Sequence, residues 1–371
     1  MIAPQRSPNN QRSPNNQRSP NNQRSPNNLG PLRLLAAALV ILGHSFVITG
    51  AIPPRLLGIE VHVLGVHIFF TISGYLITQS WQNDPSLLRF TLRRTLRIMP
   101  ALLVLIALTV LVLGPAFTSL PLAAYATAPD TRLYLWNAAL APYYALPGVF
   151  QDGRPFTAVN GSLWTLPIEA AMYALTPLFA GRAMPIRRIV LPLVAIAACA
   201  AAYTFTVARP DQVQPVLWWN SIPFGLRFAA DFALGALVQS WRIENLLKLP
   251  IALLALATLA LFPAAAPAGI LIAIPYAVLT LGLAAPTLPA PTTDISYGLY
   301  LWGCPAQQAI VTATGLGIGP WPLTAAALIA AGALGLASWH LVEHPSLSLK
   351  PRRTAKTTTP HPLPIAPHTP V

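Results

Sequence analysis

The sequence predicts an all-α integral membrane protein with about ten transmembrane helices plus a short re-entrant or interfacial segment. Three observations lead there. Charged residues are only 9% of the 371-residue chain, against about 25% in ordinary soluble domains. Hydrophobic residues make up 54% and gather in runs of about 20 residues, the length that crosses a bilayer's hydrocarbon core. The basic residues sit in short clusters between those runs, where the positive-inside rule puts them. The net charge of +13 forms no basic patch interleaved with aromatics, so no nucleic-acid partner is expected.

The apolar runs place spans at about 32–52, 60–80, 98–117, 162–180, 188–208, 221–240, 249–265, 268–285, 295–313 and 321–342. An even count puts both termini on one side. The stretch 131–147 is apolar but short and broken by Pro142 and Pro147, which suits a re-entrant or interfacial segment better than a span. The arginines and lysines check this scheme. Eighteen of the 23 basic residues fall on one side, and only Arg55, Arg132, Arg154, Arg209 and Arg227 on the other. Making 131–147 a full span would move nine of the eighteen across. The expectation is a multi-pass protein of the cytoplasmic (inner) membrane with both termini cytoplasmic.

The ends differ from the middle. Residues 5–28 are four copies of Gln-Arg-Ser-Pro-Asn-Asn, polar and Pro-rich with no apolar residue to stack, so 1–28 is expected to be disordered. The basic, Pro- and Thr-rich tail 350–371 is read the same way, leaving 29–349 as the transmembrane domain. Cys199 and Cys304 lie inside apolar runs without metal-ligand spacing. They read as small buried hydrophobes, and no metal site is expected.

Polar groups inside spans are costly and mark function. His44 lies 11 residues after Arg33, about 16 Å along the helix axis and near mid-bilayer. An imidazole there can take a proton from a hydroxyl, or can be a structural hydrogen-bonding group. In Gly65-Val-His67-Ile-Phe-Phe70-Thr-Ile-Ser73-Gly74-Tyr75, the small residues permit close helix approach. Ser73 lacks the strand-turn-helix context of a nucleophile, so packing is its better reading. His67 is expected either to line the same cavity as His44 or to sit near the membrane interface. Arg93, Arg94 and Arg97 share one helical turn, which suits topology and anionic lipid or, functionally, a polyphosphate clamp. Glu169 and Tyr173, four apart, share a helix face. Glu169 is expected to orient His44 or to bind sugar hydroxyls. Asp231 is expected to pair with Arg227 one turn earlier.

Together these motifs resemble the acyltransferase-3 family of membrane O-acyltransferases. The resemblance runs from about Leu32 to Leu347. It rests on the Arg33…His44 spacing, Phe69-Phe70-x-x-Ser73-Gly74-Tyr75 and Arg93-Arg94-x-x-Arg97-Ile-x-Pro100. It continues through Ser162-Leu-Trp164…Glu169…Tyr173…Pro177, Ile295-Ser296-Tyr297-Gly-Leu-Tyr300-Leu-Trp302 and Glu343-His-Pro345. The resemblance implies about ten spans and transfer of an acyl group, often acetyl from acetyl-CoA, to sugars of envelope or secreted polysaccharides. Some relatives modify small molecules instead. It makes His44 the essential histidine, Arg33 its partner arginine, and Arg93, Arg94 and Arg97 the basic motif tied to the donor. Many relatives have an acid where His67 stands, so no role is carried onto His67. No hydrolase-like extracytoplasmic domain of the kind some relatives append is seen, so acceptor handling is expected from the spans and the 118–161 loop.

The expected chemistry is acyl transfer without a metal or bound cofactor, with acyl-CoA, expected to be acetyl-CoA, as co-substrate. His44 and Glu169 are the expected catalytic pair. Arg33, Arg93, Arg94 and Arg97 bind the donor, and Ser73, Tyr173, Tyr297 and Tyr300 line the substrate cavity. The expected partners are the donor, the bilayer and a carbohydrate or glycolipid acceptor. The rival is a secondary transporter or a flippase for a sugar or lipid-linked sugar, which would also use intramembrane His and Glu but would favour inverted repeats.

Overall fold

A computed structural model of the protein describes residues 27–151, 153–181, 184–204, 216–217, 220–262, 266–289 and 293–351. Most of residues 1–28 and nearly all of the tail 350–371 lie outside the described residues, as do Arg209 and Asp152.

Each expected span contains a helix. They are α1 (Leu29–Ile48), α2 (Val61–Asn83), α3 (Leu87–Phe117), α4 (Thr165–Phe179), α5 (Met184–Tyr203), α6 (Ile222–Trp241), α7 (Leu249–Leu261), α8 (Ala266–Leu283), α9 (Ser296–Thr314) and α10 (Pro320–Ser348). Among the described residues, five are long and apolar enough to cross a membrane on those grounds alone: α1, α2, α3, α6 and α10. Three of the others are too short or too polar. Helix α4 has 15 residues and α7 only 13. Helix α9 is 19 residues long but polar, because protein rather than lipid surrounds it. Its Gln307 donates to the Ile41 carbonyl and lies 2.6 Å from Ser45 Oγ, and its Gln308 donates to the carbonyls of Phe156 and Ala158. A polar group inside a bundle is tolerated when it is hydrogen-bonded this way.

The stretch 131–147 makes no span-length helix. A short helix Pro129–Tyr134 runs into a 3₁₀ turn Leu135–Ala139, and the chain then continues without regular structure. Asn137 holds it by bonding the Tyr134 and Tyr143 carbonyls and accepting from the Tyr143 N–H.

Helices α1 and α2 lie at the centre, and both contribute to the two main apolar clusters. One cluster joins them to α3, α4, α6, α9 and α10, the other to α7 and α8. The tightest crossing is α2 against α6. A methyl on Gly74 would collide with the Phe232 carbonyl, and one on Gly235 with the Thr71 carbonyl. The close approach expected of Gly74 is therefore real, and reciprocal. Its neighbour Ser73 does not pack there but lines a cavity. Replacing Gly74 with alanine should destabilise by about 1–3 kcal/mol or more, because the obstacle is backbone and cannot rotate away. The check is the thermal unfolding midpoint of the detergent-purified protein. An unchanged midpoint would contradict the crossing.

Helices α3 and α10 each contain a π-helical turn, Thr109–Leu113 and Trp339–Glu343. Such bulges free backbone groups and re-aim side chains. In α3 the Tyr125 hydroxyl donates to the Val110 carbonyl at 2.8 Å. In α10 the turn brings Glu343 inside, where it is only 2% exposed and accepts from Ser338.

The boundary at residue 28 needs one correction. Asn28 is buried and donates to the Leu281 and Pro286 carbonyls while accepting from Leu288 N–H. The last residue of the repeats thus belongs to the domain, tying the start of α1 to the end of α8.

Candidate active site

Two neighbouring cavities lie along α1. The first is narrow, with about 60 Å³ of free space, and is lined by Arg33, Val66, Phe69, Phe70, Ser73, Thr165, Leu166, Glu169, Tyr297 and Tyr300. The second, at the other end of α1, holds about 460 Å³ and is lined by His44, Glu60, His62, Tyr144, Phe156, Trp164, Phe224 and their neighbours. Val66 and Tyr300 belong to both walls. We call them the arginine chamber and the histidine chamber.

The sequence builds this division simply. Arg33 and His44 stand 11 residues apart on one helix, three turns along the axis. The α1–α2 connection then folds back as a small hairpin, β1 (Arg55–Leu56) against β2 (Ile59–Glu60), turning on Leu57 and Gly58 at positive φ. This returns the start of α2 to the end of α1. Glu60 and His62 therefore face His44, while Ser73, further along α2, faces the Arg33 end.

His44 Nδ1 lies 2.8 Å from the Val40 carbonyl. A carbonyl only accepts, so Nδ1 carries the hydrogen and Nε2 presents its lone pair. This is the tautomer a general base needs. The ring sits 5.2 Å from His62 and 6.3 Å from Phe156, centroid to centroid. His44 does not stand alone in the chamber, because the hairpin folds His62 back against it.

Glu169 lies in the arginine chamber and not beside His44. The Tyr173 hydroxyl donates to it across one helical turn. The expected pairing of Glu169 with His44 is not formed. Tyr173 itself faces a neighbouring cavity with Arg94, Phe90, Thr91 and Ile98. The Tyr297 hydroxyl donates to the Ile98 carbonyl and the Tyr300 hydroxyl to the Ser162 carbonyl, with Thr165 Oγ1 2.6 Å from Tyr300. Both tyrosines therefore form wall, their hydroxyls already engaged.

The arginines do not act as one group. Arg33 and Arg97 both bond Asp294 at 2.9 Å, and Arg97 also reaches Glu343. Arg93 and Arg89 bond Asp84. Among the described residues only Arg94 of the expected cluster has no carboxylate within salt-bridge distance. It reaches Ser80 Oγ at 3.5 Å and lies over the rings of Phe90 and Tyr173. Hydrogen bonds from Arg89, with Arg93 beside it, hold the Asp84 carboxyl below the usual range despite some burial. Burial alone would raise Asp294, but Arg33 and Arg97 outweigh it and hold the carboxyl below the usual range. Sequence reading missed Asp294 as the hub. Acids number only ten in the whole chain, and one immediately before the Ile295-Ser296-Tyr297 motif was the available signal.

His67 lines neither chamber. It is fully buried between α2 and α6, with Nδ1 2.6 Å from Asp231 Oδ2. Asp231 therefore takes His67 as its partner rather than Arg227, because α2 packs tightly against α6 and brings an imidazole closer than the intrahelical guanidinium.

The residues that build both chambers fall within one recognisable stretch: residues 29–340 match the family model of an acyltransferase domain. This is a membrane-embedded acyltransferase. The chain belongs to the acyltransferase-3 family of membrane O-acyltransferases. It is 25% identical to an O-acetyl transferase of Shigella phage Sf6 over 331 residues, covering 84% of this chain and 93% of the relative. It is 31% identical to Nodulation protein 10 of Rhizobium leguminosarum bv. viciae over 322 residues, covering 79% and 84% respectively. No solved structure matches the chain significantly. Family membership favours the acyltransferase reading over a transporter or flippase.

Proposed function

We propose that the enzyme moves an acetyl group from acetyl-CoA to a hydroxyl of an envelope or secreted carbohydrate. One observation carries the mechanism most: the arginine and histidine chambers share Val66 and Tyr300. A narrow cavity of about 60 Å³ suits a slender acyl arm, whereas about 460 Å³ with aromatic walls suits a sugar ring. Arg94, which has no carboxylate partner, holds a phosphate of the donor at the arginine end of the bundle, and the acyl group reaches inward from there. His44 Nε2 removes the proton of the acceptor hydroxyl. The oxygen attacks the thioester carbonyl, the C–S bond breaks, and CoA leaves as the thiolate. The O-acetyl transferase of Shigella phage Sf6 supports acetyl as the group.

In this reading the ten helices span the inner membrane, both termini and the Arg33 mouth are cytoplasmic, and the histidine chamber opens outside. The 18-to-5 split of basic residues supports it. Reporter fusions after Gly181 and Ala158 are expected to report cytoplasm and exterior respectively. A cytoplasmic signal from Ala158 would overturn this orientation. The function itself is tested by comparing acetyl-ester content of surface and secreted glycans in deletion and complemented cells, with acetyl-CoA-dependent CoA release measured in their membranes. Equal ester content in both strains would sink the carbohydrate acceptor, and absence of CoA release would sink the donor.

A further inference from the structure

His44 as general base leaves a proton to be cleared. Once Nε2 has taken it, the imidazolium sits in a chamber walled mainly by valine and aromatic side chains, where an isolated charge is costly. Its Nδ1–H is already given to Val40. A second group that shares the charge would let the base reset before the next turnover.

His62 is that group. Its ring lies 5.2 Å from the His44 ring, centroid to centroid, so the two imidazoles are direct neighbours. Its Nε2 is 3.4 Å from Glu60 Oε2, while Glu60 Oε1 receives Arg55 at 3.2 Å. The carboxylate favours positive charge on the His62 ring without a hydrogen bond that fixes its tautomer, and the ring nitrogen turned away from it is Nδ1. That Nδ1 is buried and has no hydrogen-bond partner, a costly state for a structural histidine. Helix α1 also makes room for the ring: a methyl on Gly43 would stand 2.5 Å from His62 Nδ1. The side chains of His62 and Glu60 keep 19% and 32% of their surface exposed, so the pair joins the chamber to water.

We propose that His62, oriented by Glu60, receives the acceptor's proton from His44 and releases it to water at the mouth of the histidine chamber. The proposal rests on His44 being the general base. The step balances as follows. The acceptor O–H bond breaks and its proton goes to His44 Nε2, while the oxygen bonds the acyl carbon. The C–S bond breaks and sulfur keeps the electron pair. The proton then passes from His44 to the neighbouring His62 ring, which gives up one proton toward Glu60 and water. His62 acts through His44 and so is a positioning residue for the transfer step.

The test uses membranes from complemented deletion cells, which hold the native acceptor, with radiolabelled acetyl-CoA and alkali-labile label counted in the glycan fraction. At matched abundance, His62→Ala is expected to lower transfer by roughly tenfold to a hundredfold, less than loss of a base at the reacting atom, which costs about 10²–10⁴. Glu60→Gln should lower it less. Added imidazole should restore at least half of the lost rate in His62→Ala, whereas pyrazole, of the same size but too weak a base, should not. Wild-type rate in His62→Ala overturns the proposal. So does loss that imidazole fails to rescue, or rescue by pyrazole equal to that by imidazole, which would mean a filled cavity rather than a proton path. His44→Ala in the same assay separates the two levels. If it stays active, the general-base reading fails whatever His62 does; if it is dead while His62→Ala is fully active, only the relay fails.

Discussion

His44→Ala is expected to abolish acyl transfer while the protein still inserts and accumulates. A sugar hydroxyl is a poor nucleophile until a base takes its proton, and a well-placed base contributes about 10²–10⁴ in rate. The geometry satisfies what such a base requires. Nδ1 is held by the Val40 carbonyl, Nε2 is left basic, and the ring borders the roomier chamber. The decisive comparison is His44→Gln. Glutamine keeps a hydrogen-bonding amide but no basic nitrogen, so a structural role predicts near wild-type transfer and a catalytic role predicts loss. The measurement is label incorporated into glycan at matched membrane abundance. Full activity in His44→Gln would remove the base from the mechanism and turn attention to Glu169.

Arg94→Gln is expected to raise the apparent KM for acetyl-CoA by about tenfold to a hundredfold, the effect of losing one charge-assisted hydrogen bond of about 1.5–3 kcal/mol. Arg94 is singled out because its neighbours already have carboxylate partners. A phosphate that bound Arg97 would compete with Asp294 and Glu343, and one that bound Arg93 would compete with Asp84. Binding at Arg94 displaces no ion pair. The neighbours should behave differently when neutralised. Arg97→Gln leaves Glu343, only 2% exposed, without its cation, and stranding a buried charge typically costs about 3–5 kcal/mol. Reduced abundance should therefore accompany any kinetic change. Donor kinetics are measured alongside a reporter for orientation, because these arginines also help set topology. Unchanged KM in a correctly oriented Arg94→Gln enzyme would leave Arg94 a lipid-facing anchor.

Much of the site was legible because its signals are local. A histidine 11 residues beyond an arginine on an apolar helix needs only the helical rise to be placed. Gly74 beside Ser73, two small residues in a row, announces a close crossing. Glu169 and Tyr173 meet because four residues make one helical turn. What failed were statements about partners on other helices. Of the two roles expected of Glu169, orienting His44 is not met, because it faces the other chamber. Asp231 was assigned its neighbour one turn away, yet a packed helix supplies His67 instead.

The sequence alone determined that the chain is helical and membrane-embedded, which acyltransferase family it resembles, and which few polar residues lie in apolar runs. Composition and the period of a helix are properties of consecutive residues, and the bilayer permits few alternatives. Tertiary structure decided how those residues are divided between two chambers, that Asp294 joins Arg33 to Arg97, and that His62 faces His44. Asp294 and Arg33 are 261 residues apart, and their meeting depends on how α1, α3 and the start of α9 pack, which no local spacing encodes. His62 is nearer in sequence, but its position depends on a two-residue turn, Leu57 and Gly58, both at positive φ. That turn folds α2 back against α1 and brings the second imidazole to the first.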